Sequence, residues 1–338
     1  AAQAHEAVEH VYDAAATLLG CRRDEIAVVE NATRAWDMAF YAIPLGPGDR
    51  ILTAVAEYAS NYIAFLQVER KTGAVVQVIP NDASGQLSVD ALRRAIDDHV
   101  KLIAMTHVPT NGGLVNPAAA VGQVAREAGV MFLLDACQSV GQMPIDVETI
   151  GCDMLSATGR KYLRGPRGTG FLYVRREVLE RLEPPFLDLH AAQWVAPERF
   201  EIRPDARRFE NWEAYYAGKI GLGVAIDYAL QWGIETIWAR ISHLADDLRH
   251  QLSTIPGVTV TDQGVERCGI VSFFMAGKEA EDVQRLLANV RINVSVSRVS
   301  STRLDMEARD LPDLVRASVH YYNTEEEIER FFATLASI

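Results

Sequence analysis

Between residues 25 and 175, short apolar runs alternate with stretches in which apolar positions return every three or four residues. The runs EIAVVE, RILTAV, AVVQVIP, KLIAMTHV, VMFLLDA, CDMLSAT and GTGFLYV predict strands, and SVDALRRAIDDH and PAAAVGQVAREAG predict helices between them. This alternation predicts a mainly parallel sheet covered by helices on both faces, with ligands at the carboxyl ends of its strands. From 176 to 210, four prolines (Pro184, Pro185, Pro197, Pro204) and little periodicity predict an irregular surface excursion. A long amphipathic helix follows, KIGLGVAIDYALQWGIETIWARISHLADDLRHQLS, with a break expected near Gly233. GVTVTD, GIVSFFM, INVSVS and LVRASVHY then predict four more strands, and TEEEIERFFATLA a closing helix. The division expected is a large domain over residues 1–235 and a smaller α/β domain over 236–338. The chain opens almost directly on another amphipathic pattern, AHEAVEHVYDAAATLLG, which suggests that an N-terminal segment is missing from it.

Composition narrows the functional classes. With 49% hydrophobic and 23% charged residues over 338 positions, the chain is an ordinary folded globule. Its 33 basic and 45 acidic residues leave a net charge of −12, which repels a phosphate backbone and argues against nucleic acid as a partner. No window approaches about 18 uninterrupted apolar residues and no secretory leader is visible, so the expectation is a cytoplasmic protein without a membrane partner. Cys21, Cys137, Cys152 and Cys268 show no CxxC or Cys/His spacing, which predicts reduced thiols and no metal site.

The five lysines allow an elimination. Lys71, Lys101, Lys219 and Lys278 fall in turns or at element starts and read as solvated. Lys161 follows the strand CDMLSAT directly, among glycines and hydroxyls at the presumed ligand edge. A partly desolvated lysine beside another cation is nucleophilic and can form a Schiff base, whereas an exposed loop lysine is the other reading of this segment. Asp135 ends the apolar strand VMFLLDA, 26 residues before Lys161. A buried carboxylate there needs a cationic or protonated partner, and the pyridinium nitrogen of pyridoxal phosphate is one. Taken alone, Asp135 reads equally as a metal ligand or a helix cap.

Together these segments resemble class V aminotransferases, pyridoxal-phosphate enzymes of fold type I that include cysteine desulfurases, selenocysteine lyases, kynureninases and isopenicillin N epimerases. DACQSVG is similar to the family's D-x-x-Q segment, which implies Asp135 on the ring nitrogen and Gln138 near the phenolic oxygen. SATGRK is similar to the lysine segment and implies Lys161 as the Schiff-base residue, with Thr158 and Arg160 on the phosphate. VVENATRAWDMAF resembles the phosphate turn that opens a helix, implying the Ala32 and Thr33 amides and the Thr33 hydroxyl; a plain helix cap is the alternative. AEYASN lies where the family places the group that stacks on the ring, making Tyr58 the candidate. THVPTNGGLVNP resembles a loop that reaches cofactor or substrate, through Thr110 or its neighbour Asn111. LVRASVHYYNTEEEIERF resembles the family's C-terminal R-A-S-x-x-x-Y-N-T signature, in which Arg316 would grip a substrate carboxylate; a structural ion pair is its other reading. The resemblance further implies a homodimer and a small amino-acid substrate.

Two departures shape the expected activity. Desulfurases of the family carry a mobile-loop cysteine, but INVSVSRVSSTRLDMEARDLPD contains none. A glycine-threonine pair that the neighbouring subunit lends to the phosphate is replaced here by FENWEAYYAG, which leaves Trp212 and Glu213 without a clear role. The expected enzyme is therefore a carbon-sulfur lyase or desulfurase-like β-eliminating enzyme without a persulfide cysteine. An aminotransferase, an amino-acid epimerase and a silent cofactor-binding homologue are the alternatives. A nucleotide-binding protein is disfavoured, because no G-x-G-x-x-G or G-x-x-x-x-G-K-[ST] segment follows a strand. The substrate side chain would be read partly by residues 190–194 and the loop near Arg298.

Overall fold

The computed structural model describes residues 4–338. Seven strands build one sheet: β1 (Ile26–Val29), β2 (Arg50–Ala54), β3 (Val75–Ile79), β4 (Val100–Thr106), β5 (Met131–Asp135), β6 (Met154–Thr158) and β7 (Gly170–Val174). They run in the order β1-β7-β6-β5-β4-β2-β3. Strands β3, β2, β4, β5 and β6 are mutually parallel, and β7 runs antiparallel to both of its neighbours. The α/β architecture expected from the alternating pattern is therefore present. Along the chain these strands alternate with α1 (His5–Leu19), α2 (Ala32–Phe40), α3 (Ala59–Thr72), α4 (Val89–Ala95), α5 (Ala118–Ala128) and α6 (Val147–Ile150). Strands β5, β6 and β7 are buried at every position, which explains their uninterrupted apolar sequences.

One apolar cluster lies against α2 and α3, where Trp36, Phe40 and Phe65 pack with ring centroids 4.6 to 5.4 Å apart. A second covers the opposite face and continues without a break to Phe273 and Phe331 in the C-terminal part. That part holds α7 (Tyr216–Trp232), α8 (Ile234–Leu252), α9 (Ala280–Asn289), α10 (Arg303–Ala308) and α11 (Glu325–Ala336). Its sheet is antiparallel, with strands β10 (Val258–Val260), β11 (Ile270–Met275), β12 (Ser295–Ser297) and β13 (Leu314–Ser318) in the order β10-β11-β13-β12. Gly233 separates α7 from α8 with a φ of 79°.

Two expectations need correction. The stretch 176–210 contains an antiparallel hairpin, β8 (Ala192–Ala196) against β9 (Arg199–Ile202). Both of its faces are largely exposed, so no alternation of apolar residues marked it. Lys219 is not solvated: it is buried at 7% exposure, where its Nζ meets Tyr12 Oη at 2.8 Å and Glu210 Oε2 at 3.1 Å. Its position at a helix start concealed a packing contact with α1, which only the tertiary fold creates.

Candidate active site

The carboxyl ends of the parallel strands converge on one edge, as the connectivity demands. Thr106 ends β4 opposite Asp135 at the end of β5, and Asp135 pairs in register with Ser156 of β6. Since β1 is separated from β6 only by the antiparallel β7, its carboxyl end opens on the same edge. Asn31 follows it and caps α2, accepting a hydrogen bond from the Arg34 amide at 2.9 Å. The first α2 amides therefore point outward with no intrahelical acceptor. Gly170 permits this close packing: a Cβ there would lie 2.7 Å from both the Asn31 carbonyl carbon and the Ala157 oxygen.

The edge encloses a cavity of about 550 Å³. Ala32, Thr33 and Arg160 line it together with Thr158. Tyr58, Thr110, Asp135, Gln138 and Lys161 complete the set of expected cofactor contacts on the same cavity. Thr158 lies on the strand next to that of Asp135, two residues beyond Ser156, its partner in register, and the α2 turn lies about three strand spacings from Asp135. The cavity thus runs from a carboxylate to a cradle of amides, hydroxyls and guanidinium. Arg167 reaches the cradle too, as does one acidic residue, Glu30.

Asp135 is almost wholly buried, and burial pushes its carboxyl above the usual range. Hydrogen bonds from Asn61 Nδ2 to Oδ2 and from the Cys137 amide to Oδ1, both 2.9 Å, act in the opposite direction, as does the nearby Lys161 ammonium. Its oxygens keep unused acceptor capacity toward the cavity. Lys161 lies in a loop tied to itself: the Arg164 amide donates to the Lys161 carbonyl at 2.8 Å and the Gly165 amide to the Gly159 carbonyl at 2.7 Å.

Arg316 of β13 reaches the large sheet from the C-terminal part. Its Nη1 donates to Thr110 O and Thr110 Oγ1, each at 2.9 Å, while its buried Nε–H has no partner. Gln138 Nε2 donates to the same Thr110 Oγ1 at 3.2 Å, so Thr110 joins Gln138 to Arg316. Asn111 goes elsewhere: its Nδ2 donates to the Arg298 carbonyl at 2.8 Å, and it lines a separate small cleft. Trp212 and Glu213 also lie off this cavity, in the segment leading to α7. Glu57, Asn61, Thr106 and Arg167 belong to the site or its support and were not singled out by sequence reasoning. The one sequence signal that could have pointed to Glu57 and Asn61 is their placement four residues apart around Tyr58.

A family model described as aminotransferase class-V matches residues 1–331. This chain belongs to the class-V aminotransferase family. A probable cysteine desulfurase of Xylella fastidiosa is 34% identical over 342 aligned positions, covering 99% of this chain and 81% of that protein. A probable cysteine desulfurase of Methanothermobacter thermautotrophicus is 30% identical, covering 96% of this chain and 81% of its own length. The solved apo structure of the cysteine desulfurase of Thermococcus onnurineus superposes with a TM-score of 0.93 at 26% identity, covering 99% of this chain and 84% of that one. A structure of C-DES with glycine covalently linked to pyridoxal phosphate shares the fold, with a TM-score of 0.89 at 23% identity, over 99% of this chain and 86% of that one. The protein is a pyridoxal-phosphate-dependent enzyme of fold type I. The donor set suits that cofactor, with a carboxylate for the ring nitrogen and a cationic, amide-lined cradle for the phosphate. No described helix is long and apolar enough to cross a membrane.

Proposed function

We propose that this enzyme cleaves the carbon-sulfur bond of a cysteine-type amino acid by β-elimination, without passing the sulfur to a loop cysteine of its own. The observation that carries the reading is the convergence of Lys161, Asp135 and the anion cradle on one cavity. The desulfurase relatives support a cysteine-type substrate. Residues 292–313, where those relatives would carry the acceptor loop, hold β12 and α10 and no cysteine.

When bound, pyridoxal phosphate supplies an aldehyde that combines with amines and a ring that accepts the charge released at a substrate's α-carbon. Ala32, Thr33, Thr158 and Arg160 hold the phosphate, and Asp135 keeps a proton on the ring nitrogen. Tyr58 supplies an aromatic face, and Gln138 with Thr110 reaches the ring oxygen. Arg316 takes the substrate carboxylate with the donors that Thr110 does not use. Lys161 would hold the cofactor through its Nζ and, once the substrate amine has displaced it, would take the α-proton on that freed nitrogen. The Cβ–S bond breaks with its electron pair leaving on sulfur, and water converts the remaining skeleton to keto acid and ammonia. Trp212, Tyr215 and Tyr216 are each more than half exposed, which suits a subunit interface, and we read the enzyme as a homodimer. Four free thiols are consistent with a cytoplasmic setting.

The test is an absorbance spectrum of the protein with added pyridoxal phosphate, before and after cysteine, cysteine conjugates, alanine and glutamate. A visible band that returns while keto acid and a sulfur product accumulate is the expected result. Lasting conversion to the amine form of the cofactor would make the enzyme an aminotransferase. Racemised substrate would make it an epimerase, and no turnover at all a silent homologue. A band that survives Lys161→Ala would overturn the assignment of the lysine.

A further inference from the structure

Glu57 stands behind the cavity in the turn between β2 and α3, at 3% exposure. Its Oε2 accepts hydrogen bonds from Thr53 Oγ1 and the Thr106 amide, both at 3.0 Å. Its Oε1 accepts from the Tyr58 amide at 3.0 Å and Asn61 Nδ2 at 2.9 Å, and it also meets Thr106 Oγ1. A carboxylate offers about four acceptor sites, so this one is fully used. All of these donors except that of Thr53 belong to residues that line the cavity.

Asn61 extends the arrangement. The same Nδ2 that donates to Glu57 donates to Asp135 Oδ2 at 2.9 Å. Both neighbours are carboxyl oxygens, so the amide must turn its nitrogen toward them, and both of its hydrogens are then committed. The two buried carboxyls are coupled through one amide group. The groups facing Glu57 from β2, β4 and α3 are neutral hydroxyls and amides, and among the described residues it has no salt bridge. The cation of the neighbourhood, Lys161, acts on Asp135.

We propose that Glu57 is the positioning residue of the site: one buried carboxyl sets both Tyr58 and, through Asn61, the aspartate that meets the cofactor ring. This rests on the assignment of Asp135 to the ring nitrogen. A network with purely structural duties would be served by any pair of matched polar groups. Here every branch but that of Thr53 ends on a residue that lines the cavity. Burial pushes the Glu57 carboxyl up to about 7, against its hydrogen bonds from Thr106 and Asn61. Its proton occupancy is therefore sensitive to small changes at Asp135 near neutral pH.

Asn61→Ala and Glu57→Gln would be compared with the parent by pH titration of the visible band of the bound cofactor, by cofactor affinity, and by thermal unfolding without cofactor. In Asn61→Ala, Asp135 loses one of its two donors. The band midpoint should move by about one pH unit, a tenfold change in proton affinity. Glu57→Gln replaces one acceptor oxygen with an NH2 group that faces other donors, so the hydrogen bonds that hold Tyr58 and Asn61 must rearrange and its midpoint should move as well, with several-fold weaker cofactor binding. Unfolding temperatures that fall while the band midpoint stays in place in both variants would refute the positioning role. If Glu57→Gln fails to fold, Asn61→Ala alone decides. Loss of any lysine-dependent band in the parent itself would instead mark failure of the underlying cofactor assignment.

Discussion

Replacing Lys219 with methionine separates a buried lysine from a solvated one by magnitude. The Nζ of Lys219 sits between Tyr12 and Glu210, and Glu210 also accepts the Val28 amide at 2.7 Å and lies 3.3 Å from His190 Nε2. The surrounding donors, with His190 and Lys219 foremost, hold the Glu210 carboxyl below its usual range although burial pushes the other way. Lys219→Met removes the lysine partner and leaves a charged, 3% exposed carboxylate without it. Breaking such a buried pair costs about 3–5 kcal/mol, whereas loss of a surface pair costs about 0–1 kcal/mol. At about 2.1 cal/mol/K per residue, unfolding 338 residues carries about 0.7 kcal/mol/K, so the buried case lowers Tm by about 4–7 °C. The surface case lowers it by about 1 °C or less. Thermal unfolding followed by circular dichroism at neutral pH resolves the two. A change below about 2 °C would refute the buried cluster. The double variant Lys219→Met with Glu210→Gln should recover part of the loss, because no uncompensated charge remains.

Arg316→Lys keeps the charge but loses the planar fork and the Thr110 contacts, so substrate affinity should fall by about ten- to a hundredfold, read as KM or as a spectral titration; an unchanged affinity would remove Arg316 from the carboxylate site. Gly170→Ala drives a methyl into backbone atoms of Asn31 and Ala157 that cannot swing away, and should lower stability by about 1–3 kcal/mol in thermal unfolding; a variant as stable as the parent would show that the α2 turn has room to move. Burial depresses both His107 and His320 to about 4, so below about 6.5 the unfolded chain takes up protons that the folded one refuses. Their contribution rises with pH through that window and is lost on acidification toward 4, by up to about 3 kcal/mol each. Glu57, whose carboxyl is raised, works in the opposite sense between about 4.5 and 7. The informative measurement is therefore the urea midpoint of His107→Gln against the parent at pH 7 and 4.5, and equal losses in both would contradict a buried neutral imidazole.

All eleven strands of the two main sheets were legible in the chain: those buried on both faces, such as β5, β6 and β7, are apolar throughout, and the more exposed β3, β10 and β12 show as short valine-containing runs bounded by turn residues. Asp135 and Lys161 were legible for a related reason: a carboxylate ending an apolar strand and a lysine directly after the next are local anomalies. The hairpin at 192–202 was not, since its exposed faces impose no pattern. Neither was the burial of Lys219, which depends on α1 lying across α7, nor the support of Asp135 by Glu57 and Asn61, residues 78 and 74 positions away. Polar groups show their partners only when the chain is folded, because hydrogen bonds act over about 3 Å and the sequence places no limit on the separation of the residues that make them. The sequence by itself determined which residues must be inside and where the sheet would open. The tertiary structure decided which polar side chains share that interior, and thereby how Arg316 and Gln138 come to share the hydroxyl of Thr110.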